Sequence, residues 1–144
     1  MRPIKREFQL ITQEFNLNRH KGVDLRCVDD NTFENLPVIM TERSQILRQG
    51  IDGYGNYYLV VKPLQNTYYK EIKYIHIDKT NFNIGDIIEK DDFISFCIIG
   101  GNSKILHLHF ETWGKPVGMS VIIPENPVEY FNICGINNKI KDKS

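Results

Sequence analysis

The chain has 144 residues, 18 of them basic and 18 acidic, with 41% hydrophobic and 25% charged side chains. This is enough for one domain with a single sizeable core, and the balanced charge gives no electrostatic case for a nucleic-acid or anionic-membrane partner. Three well-separated cysteines, Cys27, Cys97 and Cys134, form no CxxC pair, so buried free thiols are expected rather than a disulfide framework or a cysteine zinc site.

The N-terminal stretch MRPIKREFQLITQEF lacks the apolar core of a signal peptide, and no run approaches transmembrane length. The elements that follow are short strands. FQLITQEF alternates loosely, and GVDLRCV places Val23, Leu25 and Cys27 on one face. LPVIMTE is a short apolar run. SQILRQGI leads through the turn DGYGN into YYLVVKP, and that turn is expected to need Gly53 and Gly55 at unusual backbone angles. YYKEIKYIHID alternates well. NIGDIIEKDDFISFCIIGG divides into a strand, a charged turn and a second strand, and KILHLHFETW closes the series. Period-2 patterning between Gly, Asn and Asp turns predicts an all-β domain. No convincing helix is visible, although ENPVEYF is compatible with one short turn starting near Pro127. The chain divides into one domain over 1–135 and a polar tail over 136–144, NNKIKDKS included.

Chemistry concentrates in two stretches. In ILHLHFETW, residues i and i+2 share a strand face, so His107 and His109 project together with Glu111 behind them, while Leu106, Leu108 and Phe110 turn the other way. In RHKGVDL, His20 and Asp24 would lie about 13 Å apart on a straight strand. That is too far for one ion at about 2 Å from each ligand. The segment must therefore bend, and Gly22 supplies a permissive backbone. Taken together, His20, Asp24 and one histidine of the pair make a His2Asp set with a fourth position open, the arrangement of a hydrolytic zinc site. Glu111 is either a support for a ligand histidine or a structural carboxylate. Trp113 and the tyrosines either line a groove or pack on the strands.

HKGVD followed later by HLHFE resembles the lysostaphin-like (M23, LytM-type) zinc endopeptidases, whose signature is HxGxD with a later HxH. GYGNYYLVV, YIHID and IGDIIEKDDFISF fall between the two motifs in that family's order. The resemblance implies an antiparallel β-sandwich of the lysostaphin-like, duplicated hybrid motif type with little helix. It implies one zinc ion per chain on His20, Asp24 and His109, with His107 and His76 as the catalytic histidines. The implied reaction is zinc-assisted hydrolysis of peptide stems or cross-bridges of bacterial peptidoglycan, with histidine acid–base assistance. A monomer acting at the cell wall is expected, phage-delivered, virion-associated or excised from an exported protein, with neither nucleic acid nor membrane as partner. Two departures stand out. GGNSKIL precedes the HxH, so that Lys104, Ile105 and Leu106 replace smaller residues beside the groove, and Asp91 and Asp92 occupy a turn where the family has glycine. Two alternatives remain at this stage. One is a catalytically degenerate wall- or partner-binding module; the other is a phosphocarrier of the related β-sandwich type, which would have no use for Asp24 or zinc.

Overall fold

The computed structural model describes residues 11–29, 32, 34–98 and 106–133. Ten strands occur among them: β1 (Ile11–Gln13), β2 (Val23–Arg26), β3 (Pro37–Ile39), β4 (Ser44–Ile51), β5 (Tyr57–Pro63), β6 (Tyr69–Ile75), β7 (Ile87–Ile88), β8 (Phe93–Phe96), β9 (His107–Gly114) and β10 (Ile123–Glu125). One helix, α1 (Pro127–Ile133), ends the described chain. The fold is all-β and antiparallel, as the alternation predicts. Eight strands form one sheet in the order β1-β2-β9-β6-β5-β4-β7, with β10 also on β9, while β3 and β8 form a separate pair. The polar tail over 136–144 and Cys134 lie outside the described residues.

β9 is the axis of the site. One of its edges is taken by β6 from His109 to Gly114. The other is shared in succession by β2, on His107 to Phe110, and by β10, on Thr112 to Gly114. Its even-numbered side chains Leu108, Phe110 and Thr112 are fully buried. Phe110 meets Tyr74 edge-on with ring centroids 5.2 Å apart and stacks on Phe131 at 5.4 Å. Each such ring contributes about 2 kcal/mol or more by leaving water. The opposite face of β9 is thereby free for His107, His109, Glu111 and Trp113.

The helix is longer than the single turn expected. Asn126 caps it, its side-chain oxygen accepting from the Val128 amide at 3.1 Å, and Pro127 opens the first turn with no amide to satisfy. Tyr130 and Phe131 then enter the core. Ile123–Glu125, not anticipated as a strand, forms by completing the edge of β9.

Three further expectations are corrected. Cys27 and Cys97 are not free thiols but are joined as a disulfide, their Cα atoms 6.5 Å apart, linking the end of β2 to the end of β8. Fold topology, which spacing does not show, brings them together across 70 residues. In the β4–β5 turn only Gly55 takes a positive φ, 82°; Gly53 does not. The turn is closed by Asp52, whose carboxylate accepts from the Tyr54 and Asn56 amides. Leu106 packs against the core rather than beside a groove, and Lys104 and Ile105 lie outside the described residues. Asp91, where a glycine was expected, adopts φ 71°, a conformation that Asp tolerates better than most residues.

Candidate metal centre

His20 follows a turn over residues 16–19 whose backbone closes on itself, the His20 amide donating to the Asn16 carbonyl at 2.7 Å. A bend at Lys21–Gly22 then carries the chain into β2. Gly22 serves a different need from the bend alone. A Cβ there would overlap the Phe110 carbonyl oxygen and lie 2.9 Å from Cγ of Glu111. Glycine therefore lets β2 enter flush against β9.

The register of β2 on β9 pairs Asp24 with His109. Residues opposite each other across two strands share a face. Asp24 Oδ1 lies 3.0 Å from His109 Nδ1, 3.2 Å from His20 Nε2 and 3.6 Å from His107 Nε2. Ligand atoms of His20, Asp24 and His109 all fall within 4.8 Å of one another. His76 stands at the end of β6, next to Ile75, which pairs with His109. Its ring centroid is 4.7 Å from that of His107 and 6.4 Å from that of His109. The structure thus gathers all five candidate residues around one cleft, which Gln13, Asp52 and Asn56 also line. Those three have no motif of their own; the β4–β5 turn and the edge strand β1 bring them in by tertiary folding.

The outer nitrogens of the two histidines nearest Asp24 are already committed. A carbonyl or a carboxylate can only accept. His20 Nδ1–H therefore donates to the Glu14 main-chain carbonyl at 2.9 Å, and His109 Nε2–H to Glu111 Oε2 at 2.7 Å. The inner atoms, Nε2 of His20 and Nδ1 of His109, are left facing Asp24. Two imidazoles and a carboxylate turned to one point are a donor set suited to a divalent borderline metal such as zinc, and the outer contacts fix the rings in the required sense. The residues therefore fit the ion.

Electrostatics agrees with that fit. Burial pushes the Asp24 carboxyl up, but the His109 hydrogen bond and the charges of His107, His109 and His20 outweigh it and hold Asp24 below the usual carboxylate range. Burial disfavours a charged His109, yet its bonds to Asp24 and Glu111 push its pKa up to about 9. A positive charge is thus favoured where Nδ1 meets Asp24, a role a metal cation can take over. His76 goes the other way: burial first, then the charges of His107 and His109, lower its pKa to about 4. Its Nδ1 is buried and makes no hydrogen bond.

His76 also has a backbone φ of 72°, sparsely populated outside glycine and costing on the order of 1–3 kcal/mol. It is clamped on both sides: its amide donates to the Tyr57 carbonyl at 3.0 Å, and its carbonyl accepts from the Ile98 amide at 2.9 Å. These bonds end β6 and turn the ring toward the cleft.

No protein-family model and no curated protein matches the sequence. Solved structures do match the fold. A zinc-containing peptidase from Vibrio cholerae superposes with a TM-score of 0.66 at 22% identity, over 87% of this chain and 37% of that one. The catalytic domain of the antimicrobial peptidase lysostaphin from Staphylococcus simulans matches at a TM-score of 0.61 and 21% identity, covering 87% of this chain and 90% of that domain. The catalytic domain of a variant of the prophage-encoded M23 protein EnpA from Enterococcus faecalis gives 0.61 at 14% identity, over 83% of this chain and 88% of that one. This chain spans little more than a third of the Vibrio cholerae protein but nearly the whole of the two catalytic domains. Together with the antiparallel sheet and the strand order, these likenesses show that the chain has the fold of the lysostaphin-like M23 peptidases.

Proposed function

We propose that residues 1–135 form a zinc-dependent endopeptidase domain that cleaves peptide stems or cross-bridges of bacterial peptidoglycan at the cell wall, as a monomer with one zinc ion per chain. The observation that carries this reading is the convergence of His20 Nε2, Asp24 Oδ1 and His109 Nδ1, with both outer histidine nitrogens held elsewhere. The substrate class comes from the resemblance of HKGVD and HLHFE to the peptidoglycan-cleaving family. The likeness to a zinc-containing peptidase and to the catalytic domain of lysostaphin supports a peptidase.

Zinc held by such a set supplies Lewis acidity for amide hydrolysis. The remaining work belongs to side chains of this chain. His107 Nε2, 3.6 Å from Asp24 Oδ1, faces the same point. In this reading it takes a proton from the attacking water and returns it to the leaving amine. His76, kept neutral by its lowered pKa, offers a ring hydrogen-bonding group without competing for that proton. It orients the water or steadies the developing oxyanion. Its clamped backbone holds the ring in place at no reorganisation cost during the reaction.

The test is zinc stoichiometry on protein prepared without metal and then supplied with it, beside His20→Ala, followed by release of new amino groups from cell-wall digests. One zinc per chain, lost in the variant, together with amino-group release by the unaltered chain, is the expected result. Zinc without amino-group release would leave a catalytically degenerate wall-binding module. No zinc in either protein would end the peptidase reading.

A further inference from the structure

Behind the three ligand candidates, β9 carries two more groups on the same face. Glu111 is only 7% exposed, and a carboxylate buried that far is costly unless each oxygen is engaged. Both are. Oε1 accepts from Trp113 Nε1–H at 2.7 Å, and Oε2 accepts from His109 Nε2–H at 2.7 Å. The Trp113 ring is itself set by a cation: Lys73 Nζ on β6 lies 4.1 Å from the ring centroid. Strand alternation builds the row, since residues 109, 111 and 113 share a face. Gly22, in the middle of HKGVD, leaves the space that Glu111 Cγ occupies. Two sequence features, the glycine of one motif and the carboxylate following the other, thus meet at one contact.

We propose that Glu111, oriented by Trp113, is a positioning residue that holds the Nε2–H of His109 and so commits Nδ1 to the metal. This rests on the reading of His109 as a zinc ligand. The physical reason is the symmetry of imidazole: a half-turn of the ring or a change of tautomer would present the wrong nitrogen or a proton to the ion. An acceptor fixed on Nε2–H disfavours both, and a charged acceptor also makes the ligand nitrogen a better donor. His20 has a main-chain carbonyl in the corresponding place. A side chain performs this service only on β9, where it can be removed by substitution.

The experiment measures zinc affinity by chelator competition for the unaltered chain, Glu111→Ala, Glu111→Gln, Trp113→Phe and Glu89→Gln, with melting of each metal-free protein as the folding control. Glu111→Ala is expected to weaken zinc about 10- to 100-fold. Glu111→Gln, which keeps an acceptor for His109 but must turn an amide group toward the Trp113 donor, is expected to fall between Ala and the unaltered chain. Trp113→Phe should weaken zinc in the same direction by less. Glu89→Gln, just after β7 and paired with Arg43, should leave affinity unchanged. A carboxylate of merely structural importance would lower the melting temperature of the metal-free variants without producing this order. Should Glu111→Ala fail to fold, Glu111→Gln and Trp113→Phe carry the test. Undiminished affinity in folded Glu111→Gln and Trp113→Phe overturns the proposal while leaving the metal reading intact. Absence of zinc binding by the unaltered chain overturns both.

Discussion

His20 follows a turn in the connection between β1 and β2, whereas His109 lies within β9, a strand paired along both edges. Both rings face Asp24 at nearly the same distance, 3.2 and 3.0 Å, and their side chains are similarly shielded from solvent. What differs is the other end of each ring. His20 leans on the neutral main-chain carbonyl of Glu14, on the arm that enters its turn, and His109 on a buried carboxylate of its own strand. A turn can double the chain back and so bring a backbone acceptor of the entering arm beside the residue that follows it. A strand cannot, since its backbone groups are spent on the ladder, so a side chain two residues along does the work. The contrast teaches that equivalent placement of two rings can rest on local structure at one position and on dedicated side-chain chemistry at the other.

The sharpest way to break this comparison is to remove each ring in turn from the metal-free protein. His109→Ala leaves Asp24 and Glu111 buried on one face without the cation between them, and a loss of about 3 kcal/mol is expected. His20→Ala leaves Asp24 still paired with His109, and a loss of about 1 kcal/mol is expected. Urea denaturation at neutral pH measures both. Equal losses would mean that the two arms are held alike.

A smaller effect sharpens the comparison by adding pH. His109 is raised from 6.5 to about 9, so its contribution to metal-free stability is complete below about pH 6.5 and is lost as pH rises through about 9. His76 is lowered from 6.5 to about 4. The unfolded chain takes up that proton first, and stability falls as pH drops from about 6.5 toward 4. The groups acting on His76 are His107, His109, Asp24 and Asp52. Denaturation of metal-free protein between pH 7 and 5 should therefore show a decline that is flatter in His76→Gln. An unchanged slope in that variant would remove His76 as its cause. If zinc is held as proposed, its affinity should also fall as pH is lowered, because protons compete with the metal for the ligand atoms.

How far the sequence carried the reading differs along the same divide. Strands β4 and β5 and their turn are plain in SQILRQGI, DGYGN and YYLVVKP, because each strand pattern is long and bounded by turn residues. The face shared by His107, His109 and Glu111 follows from period-2 alternation alone. The helix was underestimated although Asn126 and Pro127 are ordinary start signals, since its seven residues carry too short a periodicity to assert itself. The Cys27–Cys97 pairing and the arrival of Gln13, Asp52 and Asn56 at the cleft depend on topology, which spacing does not reveal. The bend that RHKGVDL implies is present at Lys21–Gly22, but it is not the whole of what Gly22 does. The Phe110 carbonyl and Glu111 Cγ, on a strand far away in sequence, also require glycine there, and no local pattern shows that. The positive φ of His76 had no sequence signal, for its clamp comes from Tyr57 and Ile98.

The smallest expected effect is at Glu14, and it isolates what makes the arms different. The acceptor for His20 Nδ1–H is the carbonyl of Glu14, which any residue at that position would present. Glu14→Ala should therefore leave zinc affinity within about twofold of the unaltered chain, as for an ordinary exposed substitution of less than about 0.5 kcal/mol. A marked loss would show that the Glu14 carboxylate also serves the site, and the two arms would then both rely on a charged side chain. An unchanged affinity, set beside the loss expected at Glu111, would place the support of His20 in the backbone and that of His109 in a side chain.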